Sequence, residues 1–152
     1  MRIFLTGASG FIGKKFLNLA LEKKHFIYAV SRKNKKLKHK NLKWLIGSIN
    51  RNWDNELKKS DILVHLASDG VINKNISYSE AKKFNIDDSM SLFRNAIKNN
   101  CKKWIVAGSV SEYGASCKKK KKLSNKTKLK PETNYEKTKR SFSKKITSLS
   151  KK

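Results

Sequence analysis

Residues that can carry negative charge are scarce in this chain. Eleven aspartates and glutamates stand against 37 lysines and arginines, for a net charge of +26. Arginine is scarce too: five positions, Arg2, Arg32, Arg51, Arg94 and Arg140, against a large excess of lysine. A basic balance suits nucleic acid or an anionic membrane surface. Base and phosphate readers, however, favour the arginine fork, and no basic motif interleaved with aromatics occurs here. The lysines come with many asparagines as a bias of the whole chain, so a solvated basic surface is expected and a nucleic-acid partner is not. Cys101 and Cys117 are too few for a disulfide framework and lack metal-ligand spacing. His25, His39 and His65 show no such spacing either, which leaves no metal site to expect. No apolar run approaches the ~18 residues of a membrane-spanning helix. The amino terminus reads as a strand and not as a signal peptide, so the cytoplasm is the expected compartment. There is no internal repeat, one proline (Pro131), and one low-complexity run, Lys118–Lys122. At 152 residues the expectation is one domain, 1–152, large enough for a core of its own.

What is present is an alternation of strand and helix patterns. Strands are predicted over Arg2–Thr6, Phe26–Ser31, Lys43–Ile46, Asp61–Ala67 and Lys103–Ala107. Between them, Phe11–Lys23 reads as a helix with Ile12, Phe16, Leu19 and Ala20 on its apolar face. Trp53–Lys59 is a short helix. Ser79–Asn99 is a long one, with Ile86, Met90, Phe93 and Ile97 as its stripe. A lysine-rich loop then runs to Pro131, and a last helix spans Asn134–Leu149. Such alternation predicts an α/β fold: a doubly wound, Rossmann-type parallel sheet, helices on both faces, strand order 3-2-1-4-5. Ligands of such sheets bind beyond the carboxyl ends of the strands, where the order reverses.

The first turn of that pattern is Thr6-Gly7-Ala8-Ser9-Gly10-Phe11-Ile12-Gly13, between a strand and a helix. A dinucleotide's pyrophosphate needs this context. Gly7 permits the tight turn, Gly10 lets the diphosphate approach the backbone, and Gly13 lets the helix pack close to the strand. The helix then presents free N–H groups and a partial positive charge. Ser9, Phe11 and Ile12 belong to the same contact set. After the second strand the chain reads Val30-Ser31-Arg32-Lys33. An acid there would take a ribose 2′-hydroxyl and an arginine the 2′-phosphate. Arg32, one of so few arginines, points to NADP, with NAD as the other possibility.

A second constellation is Tyr135-Glu136-Lys137-Thr138-Lys139. Spacing of four puts tyrosine and lysine on one helix face. A free phenol is a poor base at neutral pH, and a neighbouring ammonium favours its ionised form. The pair can then exchange a proton with a sugar hydroxyl while hydride moves to or from a nicotinamide. Lysine is common enough that Tyr78-xxx-Lys82 repeats the spacing. That pair starts the helix after the fourth strand, and no hydroxyl residue at the end of the fifth strand precedes it. Tyr135 has Ser109 behind the fifth strand, and Phe142, Ile146 and Leu149 continue its face.

Taken in order, Thr6–Gly13, His65-Leu66-Ala67, Phe84-Asn85-Ile86, Gly108-Ser109-Val110-Ser111-Glu112-Tyr113-Gly114 and Tyr135-xxx-Lys139 resemble the NAD-dependent epimerase/dehydratase family. These are extended short-chain dehydrogenases/reductases that act mostly on nucleotide sugars. The resemblance implies that Gly7, Gly10 and Gly13 hold the pyrophosphate and that Ala67 lies along the cofactor. It implies that Asn85 supports the cofactor site and that Ser109 hydrogen-bonds the reacting oxygen. Tyr135 would be the acid/base, and Lys139 would bind the nicotinamide ribose and tune Tyr135.

Departures narrow the reading. The family's dehydratases carry an acidic pair where this chain has Val110 and Ser111, which leaves reductase and epimerase level. Ser48 stands where an aspartate near the adenine is usual. The Lys118–Lys122 run is expected to be a solvated loop, although it could draw in a substrate diphosphate. The chain stops soon after Lys139, where the family continues into a substrate lobe. The expectation is therefore an amino-terminal half, with the fifth strand as an open edge. Its partner would be a nucleotide sugar, and it would pair with a second copy or with the missing half. The alternative is a dinucleotide-binding module that is not catalytic by itself.

Overall fold

The computed structural model describes residues 1–70, 75–119 and 122–151. Five parallel strands form one sheet: β1 (Arg2–Thr6), β2 (Phe26–Ser31), β3 (Leu42–Ile46), β4 (Ile62–His65) and β5 (Trp104–Val106). Their order is β3-β2-β1-β4-β5, the predicted Rossmann-type order. The reversal between β2 and β4 falls on either side of β1, with Arg2 opposite Phe26 and Thr6 opposite His65. The helices are α1 (Phe11–Glu22), α2 (Asp54–Lys58), α3 (Tyr78–Lys82), α4 (Ser89–Lys98), α5 (Ala115–Lys119) and α6 (Asn134–Leu149).

Two compact units divide the chain. Met1–Ala67 and Ser91–Ala107 form the first, and Ser68–Met90 with the residues from Gly108 onward form the second. In the first, Ile3, Leu5, Ile27, Ala29 and Val64 line one sheet face and pack under Leu17, Ala20 and Leu21 of α1. The other face carries Phe4, Thr6, Leu63 and His65, all buried. Phe93 of α4 covers it, edge-on to His65 at 5.4 Å and to Trp104 at 5.1 Å between ring centroids. Thr6 Oγ1 and His65 Nδ1 lie 2.8 Å apart, so the buried histidine has a structural partner. Phe93 is fully buried. Phe93→Ala is expected to cost ~3–5 kcal/mol of unfolding free energy, read as a lower midpoint in urea titration.

The face of α1 differs from the periodicity reading. Ile12 and Leu19 are exposed, while Gly13, Leu17, Ala20 and Leu21 are buried. The cause is Gly13, which must face the strand turn; residues four and seven further on then follow it inward. Leu19 instead meets an apolar groove of ≈ 300 Å³ shared with Phe16, Ile62 and Ile105. Ile97 is likewise exposed and not part of the stripe that Ile86, Met90 and Phe93 form. Both α1 and α4 end with a residue in the left-handed region, Lys24 (φ 57°) and Asn100 (φ 61°). The amide after each returns to the last turn, His25 to Ala20 and Cys101 to Ala96.

The predicted long helix over Ser79–Asn99 is three pieces: α3, a π-helical segment over Lys83–Asp88, and α4. A capping box starts it: Ser77 accepts from the Glu80 amide, and the Glu80 carboxylate accepts from the Ser77 amide. The loop predicted up to Pro131 also holds structure, a 3-10 turn over Val110–Tyr113 and α5. A Thr/Glu capping box, Thr133 with Glu136, starts α6. Among the described residues no helix is long and apolar enough to cross a membrane. None of their His, Cys, Asp and Glu residues gather into a group that could hold a metal ion.

Candidate functional site

The glycine turn lies at the carboxyl end of β1. Gly7 has φ +74°, a conformation that glycine adopts without strain. A side chain there would meet the Leu66–Ala67 backbone of the neighbouring strand end at 2.6 Å. At Gly13 a Cβ would fall on the Gly7 carbonyl. The Gly10 amide closes the turn onto that carbonyl at 2.9 Å. Gly10 caps α1 without any side-chain hydrogen bond, and the first turn holds no acid. Phe11 and Ile12 point their side chains into solvent and so offer only backbone. The helix N-terminus is thus bare, unshielded and free of negative charge. That fits the diphosphate of a dinucleotide, whose oxygens need amide donors and close backbone approach.

Ser9 lines a cleft of ≈ 490 Å³ beside this turn, with Lys14, Lys35, Lys36 and Trp44. Trp44 pins the loop by donating from Nε1 to the Leu37 carbonyl at 2.9 Å. Arg32 follows β2 directly and is exposed, and no acid stands at that strand end. Ser31 is occupied locally, its hydroxyl donating to the Lys33 carbonyl at 2.8 Å. The lysines at positions 14, 35 and 36 escaped the sequence reading because lysine is everywhere in this chain. Only the fold separates these from the rest. Ser48 bonds Asn50, and its carbonyl takes the Trp53 indole N–H at 3.1 Å.

The other predicted residues lie in the second unit. Asn85 sits in the π-helical segment and is buried. Its Oδ1 accepts from the Asp69 amide at 2.8 Å, and its Nδ2 donates to the Asp69 carbonyl at 2.9 Å and to Thr138 Oγ1 at 3.2 Å. Both ends of its amide are therefore engaged within the chain. It fixes the loop after Ala67 against α6. The extra residue in the π turn aims this side chain, and nothing in a helical periodicity reports it.

Tyr135 and Lys139 lie one turn apart on α6, as the spacing requires. Tyr135 is half-buried beside Gly70, where a Cβ would lie 3.6 Å from its own. Lys139 is 3% exposed, with Nζ 5.6 Å from the Phe142 ring centre. Burial lowers its pKa, and the Glu112 carboxylate works against that shift. The pair Tyr78 and Lys82 contrasts with it. Tyr78 is exposed, and Lys82 bonds Asp87 at 2.8 Å, which raises its pKa.

Ser109 caps the 3-10 turn, its Oγ accepting from the Ser111 amide at 3.2 Å. Its hydroxyl proton is not used in that bond. Of the Lys118–Lys122 run, Lys118 pairs with Glu132 at 2.8 Å, and Lys120 and Lys121 lie outside the described residues.

Solved structures of similar fold include UDP-sugar 4-epimerases. One is UDP-glucose 4-epimerase from Thermotoga maritima with UDP-glucose: TM-score 0.80, 20% identity, 100% of this chain and 52% of that chain. Another is UDP-N-acetylglucosamine 4-epimerase from Methanobrevibacter ruminantium: TM-score 0.86, 23% identity, 99% and 50%. MoeE5, in complex with UDP-glucose and NAD, gives 0.83, 24% identity, 95% and 47%. This chain thus spans about half the length of the solved structures it matches. No curated protein matches it significantly. Residues 3–152 match the model of one family, and the chain belongs to it: the NAD-dependent epimerase/dehydratase family.

Proposed function

We propose that this chain provides the dinucleotide-binding and proton-transfer parts of a nucleotide-sugar epimerase or reductase. The observation that carries this reading is the burial of Lys139, one helical turn beyond Tyr135. A lysine is rarely buried in a protein without a task or a partner. When bound, the nicotinamide supplies hydride acceptance and return. The chain does the rest. The amides at Gly10–Gly13 bind the diphosphate. Lys139 holds the nicotinamide ribose and offers its charge to Tyr135. The Tyr135 hydroxyl exchanges the proton of the sugar oxygen, and Ser109 donates a hydrogen bond to that oxygen.

NADP is the preferred cofactor in this reading. Arg32 follows β2, and the charged residues lining the cleft beside the glycine turn, Lys14, Lys35 and Lys36, are all cationic. A 2′-phosphate is recognised by such groups. Fluorescence titration is expected to show tighter binding of NADPH than of NADH. Arg32→Ala should weaken NADPH roughly tenfold, about the worth of one charge-assisted hydrogen bond, and leave NADH where it was. Equal affinities in the wild type would remove the NADP preference. Binding of neither would remove the cofactor reading.

A second reading rests on length. Because the chain covers about half of its structural relatives, it could serve as a dinucleotide-binding module whose chemistry needs a partner chain or a second copy. Turnover of a UDP-sugar by the chain alone decides for the first reading. Tight NADPH binding without turnover decides for the second. A cytoplasmic location accompanies both, in keeping with two free cysteines.

A further inference from the structure

Among the described residues, Glu112 is the one buried carboxylate and Lys139 the one buried lysine. Both belong to the second unit, on the 3-10 turn after Ser109 and on α6. Glu112 is 7% exposed. Its Oε1 accepts from the Ser109 amide at 3.1 Å and from the Ser143 hydroxyl at 2.9 Å. Ser143 lies four residues after Lys139, on the same face of α6. One carboxylate oxygen therefore ties the Ser109 backbone to the helix that carries Tyr135 and Lys139.

Burying a carboxylate for a cap alone is costly, since a solvated cap does the same work. Thr133 with Glu136 and Ser77 with Glu80 are two such boxes in this chain, both exposed. The buried box differs by reaching, through Ser143, the helix that carries the buried Lys139. On the elements next to α6, Lys82 pairs with Asp87, Lys83 with Asp88, and Glu80 with Ser77. Asp69 takes the Gly70 amide, and Tyr113 donates to the Ser124 carbonyl. Glu112 is the group whose charge opposes the desolvation of Lys139.

We propose that Glu112 is a positioning residue for the proton-transfer set, its one carboxylate oxygen fixing the Ser109 backbone against the helix that carries Tyr135 and Lys139. This rests on the reading of Ser109, Tyr135 and Lys139 given above. Glu112→Gln preserves the shape and the acceptor oxygen while removing the charge. Glu112→Ala removes both.

The test is a pH titration of the full chain labelled with ¹³C-lysine, with the Lys139 signal assigned by its loss in Lys139→Arg. Glu112→Gln should leave the melting temperature near the wild type and move the Lys139 titration to lower pH. The sign follows from the charge: losing a nearby anion makes the ammonium easier to deprotonate. Where the chain turns over a UDP-sugar, the alkaline limb of its pH–rate profile should move the same way. Glu112→Ala should lower kcat by about a hundredfold, the scale of a small misplacement of reacting groups. The titration needs no turnover, so the coupling can fail or hold independently of the proton-transfer reading. A Lys139 titration unchanged in Glu112→Gln, with Glu112→Ala losing thermal stability alone, would reduce Glu112 to a helix cap and overturn the proposal.

Discussion

Replacing Gly13 by alanine is expected to abolish useful dinucleotide binding and to destabilise the first unit. The added Cβ would land on the Gly7 carbonyl, with the Gly7 carbonyl carbon at 2.7 Å and Ala8 Cα at 2.9 Å. All three obstacles are backbone, so no side chain can rotate aside. Either α1 moves off β1 or the turn opens. Moving the helix disturbs Leu17, Ala20 and Leu21 on the sheet; overpacking of this kind costs ~1–3 kcal/mol. Opening the turn misaligns the amides aimed at the diphosphate. Each charge-assisted bond is worth ~1.5–3 kcal/mol, so losing two weakens binding by roughly a hundredfold or more. Gly10→Ala is the control, because its Cβ meets only the Gly7 carbonyl, at 3.3 Å. It should keep most of the stability. Cofactor titration and thermal melting of the two variants side by side provide the check. Equal, mild effects would mean that the glycine turn is not held as tightly as its geometry implies.

Tyr135→Phe should lower kcat by ~10²–10⁴, the usual span for losing a general acid/base, with NADPH affinity changed by no more than about twofold. The ring stays, so its packing beside Gly70 survives; only the hydroxyl with its exchangeable proton is removed. Tyr78→Phe makes the comparison sharp. It has the same spacing to a lysine, but Tyr78 is exposed and Lys82 belongs to Asp87. Its kcat should equal that of the wild type. Steady-state assay with a UDP-sugar distinguishes them, and a Tyr135→Phe enzyme with full kcat would remove the tyrosine from the mechanism.

Much of the fold was legible because parallel sheets announce themselves locally. Short β-branched runs bounded by turn residues alternate with helical periods, and the right-handed crossover rule does the ordering. The strand order and the span of α6 agree with that reasoning. Gly7–Gly13 and Tyr135–Lys139 fall on the turn and the helix the sequence predicts for them, because each motif spans only a few consecutive residues.

Reading failed where one contact in space overrides a local rule. Gly13 sets the rotation of α1, so Ile12 and Leu19 stay outside although periodicity favours them. The π turn at Lys83–Asp88 aims Asn85 at Asp69 and Thr138, and a 3.6-residue period cannot show an extra residue. Glu112 was visible only as one letter of the Gly108–Gly114 motif.

By itself, the sequence determined the sheet order, the bare glycine turn and the spacing of tyrosine and lysine. These follow from steric rules and helix geometry that act within a few residues. The tertiary structure alone decided that Lys139 loses its water while Lys82 stays exposed and pairs with Asp87, and that Glu112 joins Ser109 to Ser143. Burial and charge pairing depend on residues far apart in the chain, such as Ser109, Glu112 and Ser143. In a chain this rich in lysine, no local pattern can tell a solvated ammonium from a buried one. Only the loss of water around Lys139 makes that difference.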